Sequence, residues 1–178
     1  MTCDERDDYR DGFIERFEFC PARPPSEGPC LREPTPSIAW DIGGLLTAGP
    51  GGDELRAGFT LKLLAALQQV TLPSGQMLAL DATHWFEHYA FDPHRLRGVG
   101  RDEWALSVVP DGCFSIFVTP DFSFGMVGNP VERTFCVFGR RLLDAVLADP
   151  PPGLGAVLRG DGQAVAPSHF VSNGGPSP

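Results

Sequence analysis

The sequence predicts an α+β fold, a mainly antiparallel sheet of about five strands with two to three helices packed on one face. Three observations carry this. Short β-branched and aromatic runs follow one another through the second half of the chain, two longer stretches repeat their apolar residues at helical spacing, and turn-forming residues punctuate both. With 178 residues the chain has room for one core, and folding at this size removes roughly 70% of the unfolded chain's surface from water. We divide it into a single α+β domain over 1–149 and a Pro/Gly-rich tail over 150–178.

The first element is a short helix within residues 4–17, where Tyr9, Phe13 and Phe17 recur every four positions and Gly12 weakens the turn between them. The proline-rich segment Cys20–Pro36 has no regular structure to offer. SIAWDI, residues 37–42, reads as a strand. GGLLTAGPGGDE then forms a glycine-rich loop before a second helix whose buried stripe is Phe59, Leu63, Leu67 and Val70. That loop lacks the Lys and Ser/Thr of a phosphate-binding loop, and Asp53 and Glu54 at the helix start complement the helix dipole and repel an anion.

The strand-rich half begins with MLALDA (77–82), HWFEHYAF (84–91), EWALSVV (103–109) and CFSIFVT (113–119). Pro110-Asp111-Gly112 predicts a hairpin turn between the last two, because proline presets φ and glycine supplies φ > 0. Residues 120–132 read as a loop with one short strand, TFCVFG as a strand, and Arg140–Asp149 as a helix with Leu142, Leu143, Val146 and Leu147 at helical spacing. The last 29 residues hold six prolines and six glycines without periodicity, which predicts a disordered tail.

Composition narrows the function. A net charge of −9 repels phosphate backbones and anionic membranes, so nucleic acid and membrane are poor partners; the acidity serves solubility first, and its sharper reading is attraction to a basic protein. A single lysine stands beside 13 arginines. The five cysteines, Cys3, Cys20, Cys30, Cys113 and Cys136, form no C-x-x-C pair and fit neither a zinc ribbon nor a disulfide framework; with no apolar leader at the N-terminus, they point to the cytoplasm.

HWFEH carries the H-x-x-E-H spacing of some zinc peptidases. On a helix, His84 and His88 would meet one ion. On a strand they share a face but stand ~13 Å apart along it. Thr83, Trp85, Phe86, Tyr89 and Phe91 are strand formers, so we expect no metal and no cofactor. The catalytic candidates are Asp81 with His84 or His88, an Asp–His pair able to orient a general base in a small hydrolase or transferase, with Asp121 or Glu132 as auxiliary groups. The binding candidates are Trp85, Asp121, Phe122, Asn129 and Glu132, the last four in or beside the loop PDFSFGMVGNP.

Four signatures in order, EPTPSIAWDI, ALDATHWFEHYAFDPH, EWALSVVPDGCFSIFVTPDFSFGMVGNP and ERTFCVFGRRLLDA, resemble a bacterial family known as domain of unknown function 2716, over about Glu33 to Ala145. The chain departs from that pattern at Cys113, where the resemblance implies an acidic residue, and at Asn129 and Val131, where it implies a histidine and a tryptophan. The resemblance brings no activity with it. Small acidic α+β domains of this type are similar to toxin-neutralising proteins. The expectation is therefore a non-enzymatic cytoplasmic domain that binds a basic protein, with the Asp–His enzyme as the alternative.

Overall fold

Among the described residues eight strands form one antiparallel sheet in the order β3-β2-β4-β5-β6-β1-β7-β8. The structure is a computed structural model, and it describes residues 3–49, 51–82, 87–98 and 104–165. The strands are β1 (Ser37–Asp41), β2 (Met77–Asp81), β3 (Glu87–Phe91), β4 (Ser115–Val118), β5 (Gly125–Asn129), β6 (Thr134–Phe138), β7 (Val157–Gly160) and β8 (Gln163–Ala164). The helices among the described residues are α1 (Cys3–Phe17), α2 (Gly43–Leu46), α3 (Gly52–Val70) and α4 (Arg140–Ala148). The class is the expected one, with more strands and helices than the sequence announced.

The sheet is covered on both faces, not one. Because side chains alternate along a strand, Met77 and Ala79 of β2 point to one side and Leu78 and Leu80 to the other. The first side packs under α3 and α4, whose Phe59, Leu63, Leu67, Leu142 and Val146 are buried. The second packs under α1 and the segment that follows it, through Phe13, Phe17, Phe19 and Leu31. The β4, β5 and β6 strands are buried along their whole length, since neither face meets water. In α4, Leu147 lies away from the sheet and is 49% exposed.

The helix α1 exists because of its aromatic stripe. Phe13 and Phe17 are fully buried, with ring centroids 4.8 Å apart. Burial of each contributes roughly 1.5–3 kcal/mol, against about 1 kcal/mol lost by having glycine at position 12. Gly12 also has a packing reason: a Cβ there would come 3.2 Å from the ring of Phe122, which lies across the helix.

The hairpin expected at Pro110–Gly112 does not form. Residues 104–109 are irregular, and Trp104, Val108 and Val109 fill the core under α3. β4 is already paired with β2 on one edge and β5 on the other, so no edge is open for a strand from 104–109. The hairpin partner of β4 is β5, a full strand where the sequence suggested mostly loop. β5 hides from propensity because its neighbours approach closely: a Cβ on Gly125 would stand 2.5 Å from the carbonyl oxygen of Phe117.

The tail is the other correction. Within the stretch expected to be mostly disordered, with VLRG beside the last helix, Val157–Gly160 and Gln163–Ala164 form β7 and β8, and β7 pairs with the outer edge of β1 through Ile38–Gly160, Ala39–Arg159 and Trp40–Val157. No proline lies between Pro152 and Pro167, and an unpaired edge of β1 supplies a backbone ladder that local composition cannot reveal.

Candidate functional site

Two adjoining clefts, about 440 and 280 Å³, open on the α3 face. Their shared wall is Trp104, Leu106, Ser107 and Asp111. The larger is completed by the start of α3, through Asp53, Arg56 and Thr60. The smaller is completed by Asp81, Cys113 and Ser115. Trp104 is the floor. Its ring stands edge-on to Phe117 at 5.4 Å and leans on Phe91 at 5.9 Å, and its indole N–H donates to the Gly98 carbonyl at 3.1 Å. Ser107 Oγ donates to the Val109 carbonyl at 2.7 Å, which holds the irregular wall in shape.

The polar groups of the clefts come from strand, helix and irregular wall. Asp81 ends β2 on the side of Met77 and Ala79, so the pleat delivers it to the α3 face. Asp53 sits in the first turn of α3, where its charge complements the helix N-terminus. Among the described residues Arg56 is the one basic residue of the lining. Its guanidinium donates to Asp53 Oδ1 and to the Ala48 carbonyl, both at 3.2 Å, so its charge is already partly answered.

His88 is buried in β3 opposite Leu80, on the α1 face, with its ring edge-on to Tyr9 at 5.5 Å. Asp81 and His88 therefore lie on opposite faces of the sheet, and the geometry of an orienting hydrogen bond is not available to them. His84 and Trp85 lie outside the described residues. His88 stands on a strand, as the residue composition predicted. Among the described residues no three His, Cys, Asp or Glu side chains gather to hold a metal ion, and no helix is long and apolar enough to cross a membrane.

The remaining candidates are fixed within the fold. Asp121 closes the β4–β5 turn, its Oδ1 accepting from the amide and hydroxyl of Ser123 at 3.1 and 2.8 Å. Hydrogen bonding from Thr119, then Ser123, holds its carboxyl below the usual carboxylate range. Phe122 is half-buried against Phe13 and Phe17. Asn129 is buried in the β5–β6 turn, where its Oδ1 accepts from the amides of Val131 and Glu132 at 2.9 and 3.0 Å. His94 Nε2 lies 3.2 Å from both the hydroxyl and the carbonyl oxygen of Thr71 at the end of α3.

Glu132 belongs to an ion cluster that sequence reasoning did not assemble. Arg159 of β7 donates from Nε to Glu33 Oε1 at 2.7 Å and from its terminal nitrogen to Glu132 Oε2 at 2.9 Å. Glu132 Oε1 accepts from the Cys30 amide at 3.0 Å, and Asn129 donates to Cys30 Sγ at 3.1 Å. Glu33 has no exposed side-chain surface, and burial pushes its carboxyl above the ordinary value despite Arg159 beside it. Burial, reinforced by the Glu132 charge, pushes the Cys30 thiol up to about 12; burial raises the wholly enclosed Cys136 as well. Neither is a thiolate nucleophile near neutral pH. No spacing rule joins residues 126 positions apart, so Glu33 and Arg159 carried no signal.

The fold and the cleft thus define an acidic α+β protein with a sheet between two helical layers and a recess over a buried tryptophan. The chain belongs to the family described as a protein of unknown function, DUF2716, which matches residues 1–143. It is similar to the uncharacterized protein YxiI of Bacillus subtilis (strain 168), with 32% identity over 124 residues, 66% of this chain and 74% of that protein. No solved structure matches it.

Proposed function

We propose that this chain is a non-enzymatic protein-binding domain of the cytoplasm that receives a basic partner at the cleft over Trp104. The observation that carries the reading is the cleft lining itself. Asp53 and Asp111 in the larger cleft and Asp81 and Asp111 in the smaller come from three separate parts of the chain, and Arg56 is the one basic lining residue among the described residues, already bonded to Asp53. Such a recess favours an ammonium or guanidinium group, and the net charge of −9 draws a basic protein toward it before contact. A basic toxin is one partner of this chemistry. Against the enzyme alternative, Asp81 and His88 are separated by the sheet, and the buried thiols of Cys30 and Cys136 hold their protons.

The test is affinity capture from a lysate of the source organism at low and at moderate salt, using the full chain and its Asp53→Asn, Asp81→Asn, Asp111→Asn triple variant. A basic protein held by the parent at low salt, released at moderate salt and not held by the variant is the expected result. The screening length is only ~8 Å at physiological ionic strength, so salt should act strongly on a contact at an open cleft. Equal retention by the parent and the variant would refute the reading, as would the absence of any basic protein.

A further inference from the structure

We propose that the β7–β8 hairpin is a detachable strap on the sheet, fastened by Arg159, whose opening uncovers the outer edge of β1 while the rest of the sheet stays folded. The first support is how little the strap buries. Val157, Leu158 and Val165 are 41%, 37% and 49% exposed, and no residue of 157–165 belongs to either core. Apolar burial therefore contributes little to holding it down. Its register on β1 is also broken, with a shift between Ala39 and Trp40.

What holds it is polar. Arg159 reaches from the strap into the α1 side of the molecule and bridges Glu33, in the segment before β1, to Glu132, in the β5–β6 turn. The arginine is 18% exposed and its two partners 0% and 11%, so water and salt screen these bonds poorly. The other attachments are backbone or turn bonds: the ladder through Ile38–Gly160, Ala39–Arg159 and Trp40–Val157 in the middle, and at the two ends the Asp41 amide donating to the Ala156 carbonyl, the Gly155 amide to the Asp41 carbonyl, the Asp161 amide to the Ser37 carbonyl, and the Ser37 amide to Asp161 Oδ1.

β1 does not depend on the strap for its own burial. It is paired on its inner edge with β6 over five positions, and Ala39 and Trp40 are covered by the cores on the two faces. Opening the strap leaves β1 in place with free N–H and C=O groups at Ser37 and Asp41, an edge competent to pair with another extended segment. The family match ends at residue 143, before the strap begins.

Residue-resolved amide exchange on the full chain, across a series of low denaturant concentrations, tests this. In the parent, the amides of Ser37, Asp41, Gly155 and Asp161 should exchange through an opening that depends weakly on denaturant, while those of β5 exchange only through global unfolding. In Arg159→Met, which keeps length and loses charge, the four marker amides should exchange at least tenfold faster with β5 unchanged. Unchanged markers in that variant overturn the fastening role of Arg159. Markers and β5 accelerating together overturn the strap, because the hairpin would then open only with the whole sheet. Should the variant fail to fold, the parent decides alone: markers sharing the steep denaturant dependence of β5 refute the proposal.

Discussion

Replacing Asn129 by alanine should destabilise the fold by about 3 kcal/mol, a sum of one fully lost and one partly lost acceptor for turn amides. The Asn129 side-chain oxygen takes hydrogen bonds from the amides of both Val131 and Glu132. Glu132 is half-buried, so leaving its amide unsatisfied costs roughly 2 kcal/mol. Val131 is 58% exposed and its amide can turn to water, so that loss is nearer ~0.5–1 kcal/mol. The weak bond from Asn129 to Cys30 Sγ adds a few tenths more, about 0.3 kcal/mol. For a chain of this length each kcal/mol moves the midpoint by roughly 2–4 °C, so thermal unfolding followed by circular dichroism should show a fall of roughly 6–12 °C. Asn129→Asp keeps the acceptor and should retain most of that stability. A variant Asn129→Ala within about 0.5 kcal/mol of the parent refutes the assignment of this side chain to the turn. So does a folded Asn129→Ala of parental stability that no longer captures the partner, since that would make Asn129 a contact residue.

Phe17→Ala should cost about 3–5 kcal/mol in urea unfolding, because its ring is buried between Phe13, Phe122 and Phe138 with no room for solvent to refill the space. Cys30 holds its proton up to about 12 in the folded chain against 9.0 ordinarily, so its stabilising contribution is whole below pH 9 and is lost as pH rises toward 12. The urea midpoint of the parent should therefore fall more steeply over that window than that of Cys30→Ala. Glu33 is also raised, by burial, so its contribution is complete below the ordinary 4.5 and is lost as pH rises through the folded value; Glu33→Gln should flatten that part of the stability profile. With a thiol reagent at neutral pH, the half-exposed Cys20 and Cys113 should react before the buried Cys30 and Cys136, and equal rates would contradict the burial.

Much of the fold was legible because it rests on short-range pattern. The four-residue spacing of Tyr9, Phe13 and Phe17 and the stripe Phe59, Leu63, Leu67 and Val70 announce helices whose faces are buried as expected. The runs around Trp40, Leu78, Ile116 and Phe135 announce strands. EWALSVV deceived because its apolar residues are in the core without being in the sheet, and burial alone does not distinguish the two. β5 was hidden by its glycines, whose place is set by the Phe117 carbonyl and other neighbours.

The site was much less legible. Asp81 and His88 were paired because they are near in sequence, yet a strand's period of two, combined with the register Leu80–His88, sends them to opposite faces. Asp111 lines both clefts, Asp53 the larger and Asp81 the smaller, although no two belong to one element.

Local periodicity and composition, then, determined the helices, most strands, the acidic charge and the family resemblance, because those depend on residues within a turn or two of each other. Tertiary structure alone decided which edge each strand pairs with, that the tail closes on β1, and that Glu33, Glu132 and Arg159 meet. Those outcomes depend on distances across the sheet between residues far apart in the chain, and one-dimensional spacing carries no measure of them.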